Sequence, residues 1–163
     1  MPTVYFLIGI PGSGKTTWLK SQLPKYPYSE DAIVLSTDML IEQYALWSNK
    51  TYNEVFQERI KPSENMLQLN LEEAIHFNKN VYYDQTNLTP KTRSKKMSKF
   101  PKSYRKEAII FLTSEAITDI INEERKSFGR ALPKHILDSM KQNFDVSTIE
   151  KEDFDKVTYI ERN

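Results

Sequence analysis

Five short runs of the chain indicate strands, and all but the edges are apolar at consecutive positions rather than at alternate ones. They begin at Val4, Ala32, Val81, Ala108 and Val157, and they read VYFLIG, AIVLS, VYYD, AIIFL and VTYI. A strand that is apolar on both faces is typical of a parallel sheet that helices cover on either side. The pattern therefore predicts a central parallel sheet of about five strands.

The segments between these runs carry apolar residues at helical spacing. They predict helices over residues 15–23, 63–77, 114–126 and 133–144, and the second of these is predicted to start at Pro62 and Ser63. A further helix opens at Thr89-Pro90, where threonine can cap and proline fits the first turn. Alternating strands and helices predict a three-layer α/β sandwich with right-handed crossovers. We expect a single domain over residues 1–163, with a helical lid over about residues 121–133.

The composition excludes several kinds of site. Among its 163 residues the chain has no cysteine and two histidines, His76 and His135, which excludes a cysteine nucleophile and thiolate or multi-histidine metal sites. The net charge is +1, so any attraction to nucleic acid must come from a local patch. No run approaches the ~18 apolar residues of a membrane span. We therefore expect a soluble, cytoplasmic protein with no membrane partner.

Residues 9–16 read GIPGSGKT and match the pattern G-x-x-x-x-G-K-[ST] in full. The glycines let the backbone curl so that successive N–H groups face one anion, at the positive end of the helix that follows. Lys15 would then reach the β- and γ-phosphates, and the Thr16 hydroxyl would bind Mg²⁺. The motif predicts an ATP or GTP site made of Gly12, Ser13, Gly14, Lys15, Thr16 and Thr17.

Polar residues follow the second and third strands, at the sheet edge where ligands of open α/β sheets bind. Asp38 follows the second strand and could accept a proton from an acceptor hydroxyl or hold a metal-bound water, although it could also cap the next helix. Asp84 ends the third strand and is predicted as a carboxylate on the metal side of the site. Thr86 and Asn87 come next, and they would line the cleft and contact substrate or simply form a turn.

Two arginines flank the segment RKSFGR at Arg125 and Arg130. A lid that closed them over the phosphates would exclude water and neutralise the charge that develops during phosphoryl transfer. A solvated surface loop is the alternative.

Residues 91–106 contain eight lysines and arginines and no acid. Lys91, Lys95 and Lys99 fall near one face of a helix, so this stripe could follow a nucleic-acid backbone, or it could be a solvated face. Arg93, in the same segment, is predicted to contact substrate.

Four aromatic residues lie between Asp38 and Pro62. They are Tyr44, Trp47, Tyr52 and Phe56. Such residues could stack on a base, or they could form the core of a helix.

The blocks GIPGSGKTTW, STD, DQTNLTPKTR and ERKSFGRALPKHILDSM resemble the phage-type polynucleotide kinases, in particular the 5′-kinase domain of polynucleotide kinase-phosphatases, over nearly the whole chain. The resemblance implies a P-loop kinase fold with strand order 2-3-1-4-5. It also implies transfer of the γ-phosphoryl group of ATP or GTP, with Mg²⁺, to the 5′-hydroxyl of a DNA or RNA end. The family's site residues correspond to Lys15, Thr16, Asp38 as general base, Thr86, and Arg130 as lid arginine with Arg125 as the second choice.

Two features depart from the family pattern. Ile41 stands where the family commonly has an arginine that grips an acceptor phosphate, so van der Waals contact or other cations would hold the acceptor there. The phosphatase motif D-x-D-G-T does not occur, and we expect no 3′-phosphatase activity. Two other functions stay open: a kinase for a nucleotide, a small metabolite or a hydroxymethylated DNA base, and an NTP-hydrolysing switch or binding module.

Overall fold

The computed structural model describes residues 1–162, which contain one five-stranded sheet. The strands are β1 (Thr3–Ile8), β2 (Ala32–Leu35), β3 (Asn80–Asp84), β4 (Arg105–Thr113) and β5 (Lys156–Arg162). Their order is β2-β3-β1-β4-β5, and every neighbouring pair is parallel. The predicted parallel sheet and its order are confirmed.

Six α-helices are described between and around these strands. They are α1 (Lys15–Gln22), α2 (Thr37–Ser48), α3 (Tyr52–His76), α4 (Pro90–Met97), α5 (Glu115–Arg125) and α6 (Lys134–Asn143). The starts of α2, α3, α4 and α5 follow a local rule, because a serine or threonine hydroxyl just before each helix accepts a hydrogen bond from a backbone N–H three residues later. None of the helices described in residues 1–162 is long and apolar enough to cross a bilayer.

The prediction that α3 starts at Pro62 is wrong. The helix begins at Tyr52, after the Thr51 cap, and continues through Pro62 to His76. A proline inside a helix removes one backbone hydrogen bond and usually ends the helix. Here the first half of α3 is held by tertiary packing, since Val55 is fully buried against α2.

The core lies on both faces of the sheet. Phe6 of β1 packs on one face in a cluster with Leu71 of α3, and Leu7 packs on the other face with Leu19 of α1. Alternate residues of β1 thus enter different layers, and each fully buried apolar side chain contributes ~1.5–3 kcal/mol. This three-layer arrangement fixes the loop that follows β1 at the carboxyl edge of the sheet.

Candidate active site

A pocket with a volume of about 540 Å³ lies at the carboxyl ends of β1, β2 and β3. The loop after β1, the start of α2, the residues after β3 and the end of α5 form its wall. Most of the residues predicted for the site lie on this wall: Gly12, Gly14, Lys15, Thr16, Thr17, Asp38, Asp84, Thr86, Arg125 and Arg130. The fold therefore gathers residues from four separate parts of the chain.

The loop after β1 surrounds the side-chain ammonium of Lys15. Gly14 has φ 99°, a left-handed conformation that favours glycine, and it starts α1. The ammonium of Lys15 donates to the carbonyls of Gly9 at 2.7 Å and Ile10 at 3.0 Å. Burial lowers the pKa of Lys15 to about 8, although the carboxylates of Asp84 and Asp38 oppose the shift. A phosphate bound in the loop would compete with these carbonyls for the ammonium.

Thr16 and Asp84 form the part of the site that could hold a metal. The Thr16 hydroxyl donates to Asp84 at 3.4 Å across the gap between α1 and β3. Burial raises the pKa of Asp84, and Lys15 opposes the shift. A hydroxyl beside a carboxylate fits Mg²⁺, which takes one or two protein oxygens together with phosphates and water.

Asp38 stands in the first turn of α2 without capping it. The cap is Ser36, whose hydroxyl accepts from the Met39 N–H at 3.1 Å, so the capping alternative for Asp38 is wrong. The Asp38 side chain is 58% exposed on the pocket wall, and Nη2 of Arg130 lies 3.4 Å from it.

Tyr52, at the start of α3, donates its hydroxyl hydrogen bond to Asp38. Burial, and then the charge of Asp38, raise the pKa of Tyr52, so the phenol remains a donor. The Asp38 carboxylate thus lies on the pocket wall, held by a donor from α3 and a cation from the α5–α6 segment.

The segment between α5 and α6 rests against α2 and α3. Arg130 donates to Glu42 of α2 at 2.7 Å and lies over the Tyr52 ring. The backbone N–H of Asn53 donates to the Gly129 carbonyl at 2.9 Å. Burial, and then repulsion from Arg130, lower the pKa of Arg125. Two cations of the predicted lid, Arg125 and Arg130, thus face one pocket. An anion bound in the pocket would reduce the repulsion between them.

Three residues at this site were not predicted for it: Glu42 and Arg162 line the pocket, and Tyr52 contacts Asp38. Tyr52 was considered only for stacking or helix core, because α3 was predicted to start later. Glu42 lies one helical turn after Asp38, and that spacing was a usable signal. Arg162 lies at the end of β5 and donates to the Gly12 carbonyl at 3.0 Å; the prediction ended that strand at residue 160.

Three residues predicted for the site do not face this pocket. Ser13, within the loop after β1, is 1% exposed. Asn87 is also buried, and its amide donates to the Leu7 carbonyl at 2.7 Å, so it joins β3 to β1. Arg93 has no exposed surface and forms an ion pair with Glu152 at 2.8 Å. The predicted substrate contact of Arg93 is therefore corrected to a structural role, while Asn87 lines a second hollow beside this pocket.

Position 41 is part of the core. Ile41 is fully buried and packs with Ala45 and Val55, so it does not reach an acceptor. Tyr44 and Phe56 pack against the same cluster, in agreement with the helix-core alternative for them. Trp47 is 80% exposed and lies outside that cluster.

A family model described as an AAA domain, AAA_33, matches residues 4–147. The Pnkp1/Rnl/Hen1 RNA repair complex contains a similar structure, with TM-score 0.66 and 20% identity over 94% of this chain and 47% of that one. The chain thus spans about half the length of that relative.

Two further structures share the fold. A fungal RNA kinase has TM-score 0.56 and 16% identity, over 99% of this chain and 75% of that one. A gluconokinase from Sinorhizobium meliloti 1021 has TM-score 0.50 and 14% identity, over 98% and 82%. At such identities the likeness shows the fold alone. Because the family model spans most of the chain, this protein belongs to the AAA_33 family of AAA domains, and its fold is that of the P-loop kinases.

Proposed function

We propose that the protein transfers the γ-phosphoryl group of ATP or GTP to the 5′-hydroxyl end of a DNA or RNA strand. The observation that carries this proposal is the carboxylate of Asp38, which shares a pocket with the phosphate loop and is held by Tyr52 and Arg130. A carboxylate at this place can take the proton of an acceptor hydroxyl.

On the donor side, the loop amides, the start of α1 and Lys15 bind the phosphates. Thr16 and Asp84 would hold Mg²⁺, which neutralises charge on the phosphate oxygens when it is bound. Arg125 and Arg130 face the same space and offset the charge that builds up on the transferred group.

On the acceptor side, Asp38 takes the proton of the hydroxyl. The hydroxyl oxygen forms a bond to the γ-phosphorus, the bond to the β–γ bridging oxygen breaks, and the nucleoside diphosphate leaves. Tyr52 keeps one carboxylate oxygen oriented, so that little reorganisation is needed at the moment of transfer.

Three observations support a polynucleotide acceptor. The blocks that resemble polynucleotide kinases span nearly the whole chain, and relatives in fold include an RNA repair complex and an RNA kinase. The stripe of Lys91, Lys95 and Lys99 is exposed. The gluconokinase with the same fold shows why the acceptor needs a direct test.

The test is a panel of acceptors incubated with γ-labelled ATP and with γ-labelled GTP. It contains 5′-hydroxyl DNA and RNA strands, nucleosides, hydroxymethylated DNA and gluconate. We expect label on the 5′-hydroxyl strands. Label on a small hydroxyl compound alone would identify a different kinase, and release of inorganic phosphate with every acceptor would identify a switch.

A variant tests the base. Asp38→Asn should lower turnover ~10²-fold or more and leave the Kd for nucleotide nearly unchanged, because it removes the proton acceptor but not the phosphate loop. Asp153→Asn, a change of the same kind at an exposed position, is the matched control. If Asp38→Asn instead weakens nucleotide binding and spares turnover, Asp38 belongs to the donor site.

A further inference from the structure

A second hollow of about 340 Å³ lies next to the nucleotide pocket. Gln85 and Thr86 line both spaces. The other side of the hollow is formed by α4, through Thr92 and Lys96, and by α6, through Ser139 and Asn143. It therefore extends the site from the carboxyl end of β3 toward the two helices.

Lys96 is the one charged residue among the lining residues of this hollow in the described part of the chain, and no carboxylate lines it. Its ammonium donates to the side-chain oxygens of Gln85 at 2.8 Å and Asn87 at 2.6 Å, and it lies 4.6 Å from the centre of the Tyr83 ring. An ammonium has three donors, so one is left after these two bonds. Its partners are neutral, and the positive charge is therefore not neutralised within the protein.

The electrostatics of Lys96 agree with this geometry. Burial lowers the pKa of Lys96 to about 7, and repulsion from Lys99 adds to the shift. An anion in the hollow would relieve both effects, because it would replace lost solvation and counter the repulsion. Lys91, Lys95 and Lys99 of the same basic segment are exposed to solvent, whereas Lys96 is half-buried.

Two hydrogen bonds connect the hollow to Thr37, the residue before the proposed base. Gln85 accepts from Lys96 and donates to the Thr37 hydroxyl at 3.2 Å, and Thr37 directly precedes Asp38. An acceptor whose terminal hydroxyl lies at Asp38 can thus continue past Gln85 and Thr86 into the hollow. Ile41 of α2 is buried and cannot contact that acceptor.

We propose that this hollow binds a backbone phosphate of the acceptor strand near its 5′ end, with Lys96 as the cationic ligand. The inference rests on the proposed function and assigns to it a second binding subsite. It also gives the acceptor a phosphate contact on the β3–α4 side of the site.

The test compares strands in which one linkage at a time, among the first three, is an uncharged methylphosphonate. In the wild type, one of these replacements should raise the KM for the strand ~10-fold, the size expected for loss of one hydrogen bond to a charged group. In Lys96→Met the KM for the normal strand should be raised by the same factor, and the methylphosphonate should raise it little further. This non-additivity is the signature of a direct contact.

Two more variants make the result specific. Lys61→Met removes an exposed lysine of α3 and should behave as the wild type. Asn143→Asp adds a carboxylate at an exposed position of the hollow, so it should raise the KM for normal strands and not for the responsive methylphosphonate strand. This second variant still tests the hollow if thermal unfolding shows that Lys96→Met does not fold.

The outcomes separate the two proposals. If strands are phosphorylated and each methylphosphonate raises the KM by the same factor in the wild type and in the Lys96 and Asn143 variants, the subsite is wrong and the kinase assignment stands. If no 5′-hydroxyl strand is phosphorylated, both proposals are wrong. If one methylphosphonate raises the KM in the wild type, and this rise disappears only in the Lys96 and Asn143 variants, the result supports the subsite.

Discussion

The two most informative residues of this protein are lysines in unusual surroundings. Lys15 is bonded to carbonyls of its own loop, and Lys96 is bonded to two neutral side chains. Both have lowered pKa values because burial disfavours the charged form. At this scale the molecule holds two cations without sufficient counter-charge, and both line spaces large enough for ligands.

Nucleotide binding should therefore change the protonation of Lys15. Its pKa is about 8, and bound phosphates would raise it, so ADP binding at pH 8 should take up protons while binding at pH 6 should not, because the lysine is already protonated there. Calorimetry in two buffers with different ionisation enthalpies measures this uptake. Lys15→Met should abolish both the uptake and phosphoryl transfer. An uptake that persists in Lys15→Met would assign the proton to another group.

At the scale of elements, the important contact joins the α5–α6 segment to the corner between α2 and α3. Arg130 bonds to Glu42 and lies near Asp38, and Gly129 has φ 62° with its carbonyl bonded to Asn53. A Cβ at Gly129 would lie 2.5 Å from Thr51, so only glycine fits this close approach. The proposed lid is thus held on the acidic face of α2 by the same arginine that would serve the phosphates.

Weakening this contact should favour nucleotide binding. Glu42→Gln removes the closest counter-charge of Arg130, and a partly exposed ion pair is worth ~0.5–1 kcal/mol, so the KM for ATP should fall by about 2- to 5-fold. Glu123→Gln removes an exposed partner of Lys126 in the same segment and is the matched control. Equal KM values in the wild type and Glu42→Gln would show that Arg130 does not exchange Glu42 for phosphate.

At the scale of the whole molecule, Arg93 joins parts of the chain that are far apart in sequence. It lies in α4, pairs with Glu152, and donates to the carbonyls of Asn87 and Asp145 at 3.0 Å. These bonds fix the end of β3, which carries Asp84, to the segment after α6. Removing one partner of a buried ion pair leaves the other without compensation, at a cost of ~3–5 kcal/mol.

Arg93→Met should lower the free energy of unfolding by about 3–5 kcal/mol at pH 7, as measured by urea denaturation. Lys61→Met, which removes an exposed ion pair, should change it by less than ~1 kcal/mol. The Arg93 guanidinium holds the pKa of Glu152 below its ordinary value. The stabilisation from the Arg93–Glu152 ion pair is therefore fully present above the usual Glu pKa of ~4.3. It is lost as the pH falls through the lower pKa that Glu152 has in the folded protein.

The difference between the wild type and Arg93→Met should consequently shrink on acidification below about pH 4. A difference that stays constant from pH 7 to pH 3 would show that Arg93 stabilises the fold by packing rather than through Glu152.

The sequence by itself determined the elements whose signals are local. Continuous apolar runs predicted the five strands, the Thr89 cap marked the start of α4, and the glycine-rich motif placed Lys15 at a strand-to-helix turn. These features depend on neighbours within a few residues, and the chemistry of those neighbours was readable directly.

Only the tertiary structure decided which distant residues meet. Packing of Val55 against Ile41 carries α3 through Pro62 and brings Tyr52 to Asp38, while the same packing buries the position expected to hold an acceptor phosphate. Lys96 differs from its exposed neighbours because the end of β3 lies beneath it, and Arg162 reaches Gly12 because β5 is longer than its apolar run. A hydrophobic pattern indicates that a side chain is buried but not against which partner, since the order of strands in the sheet sets those contacts.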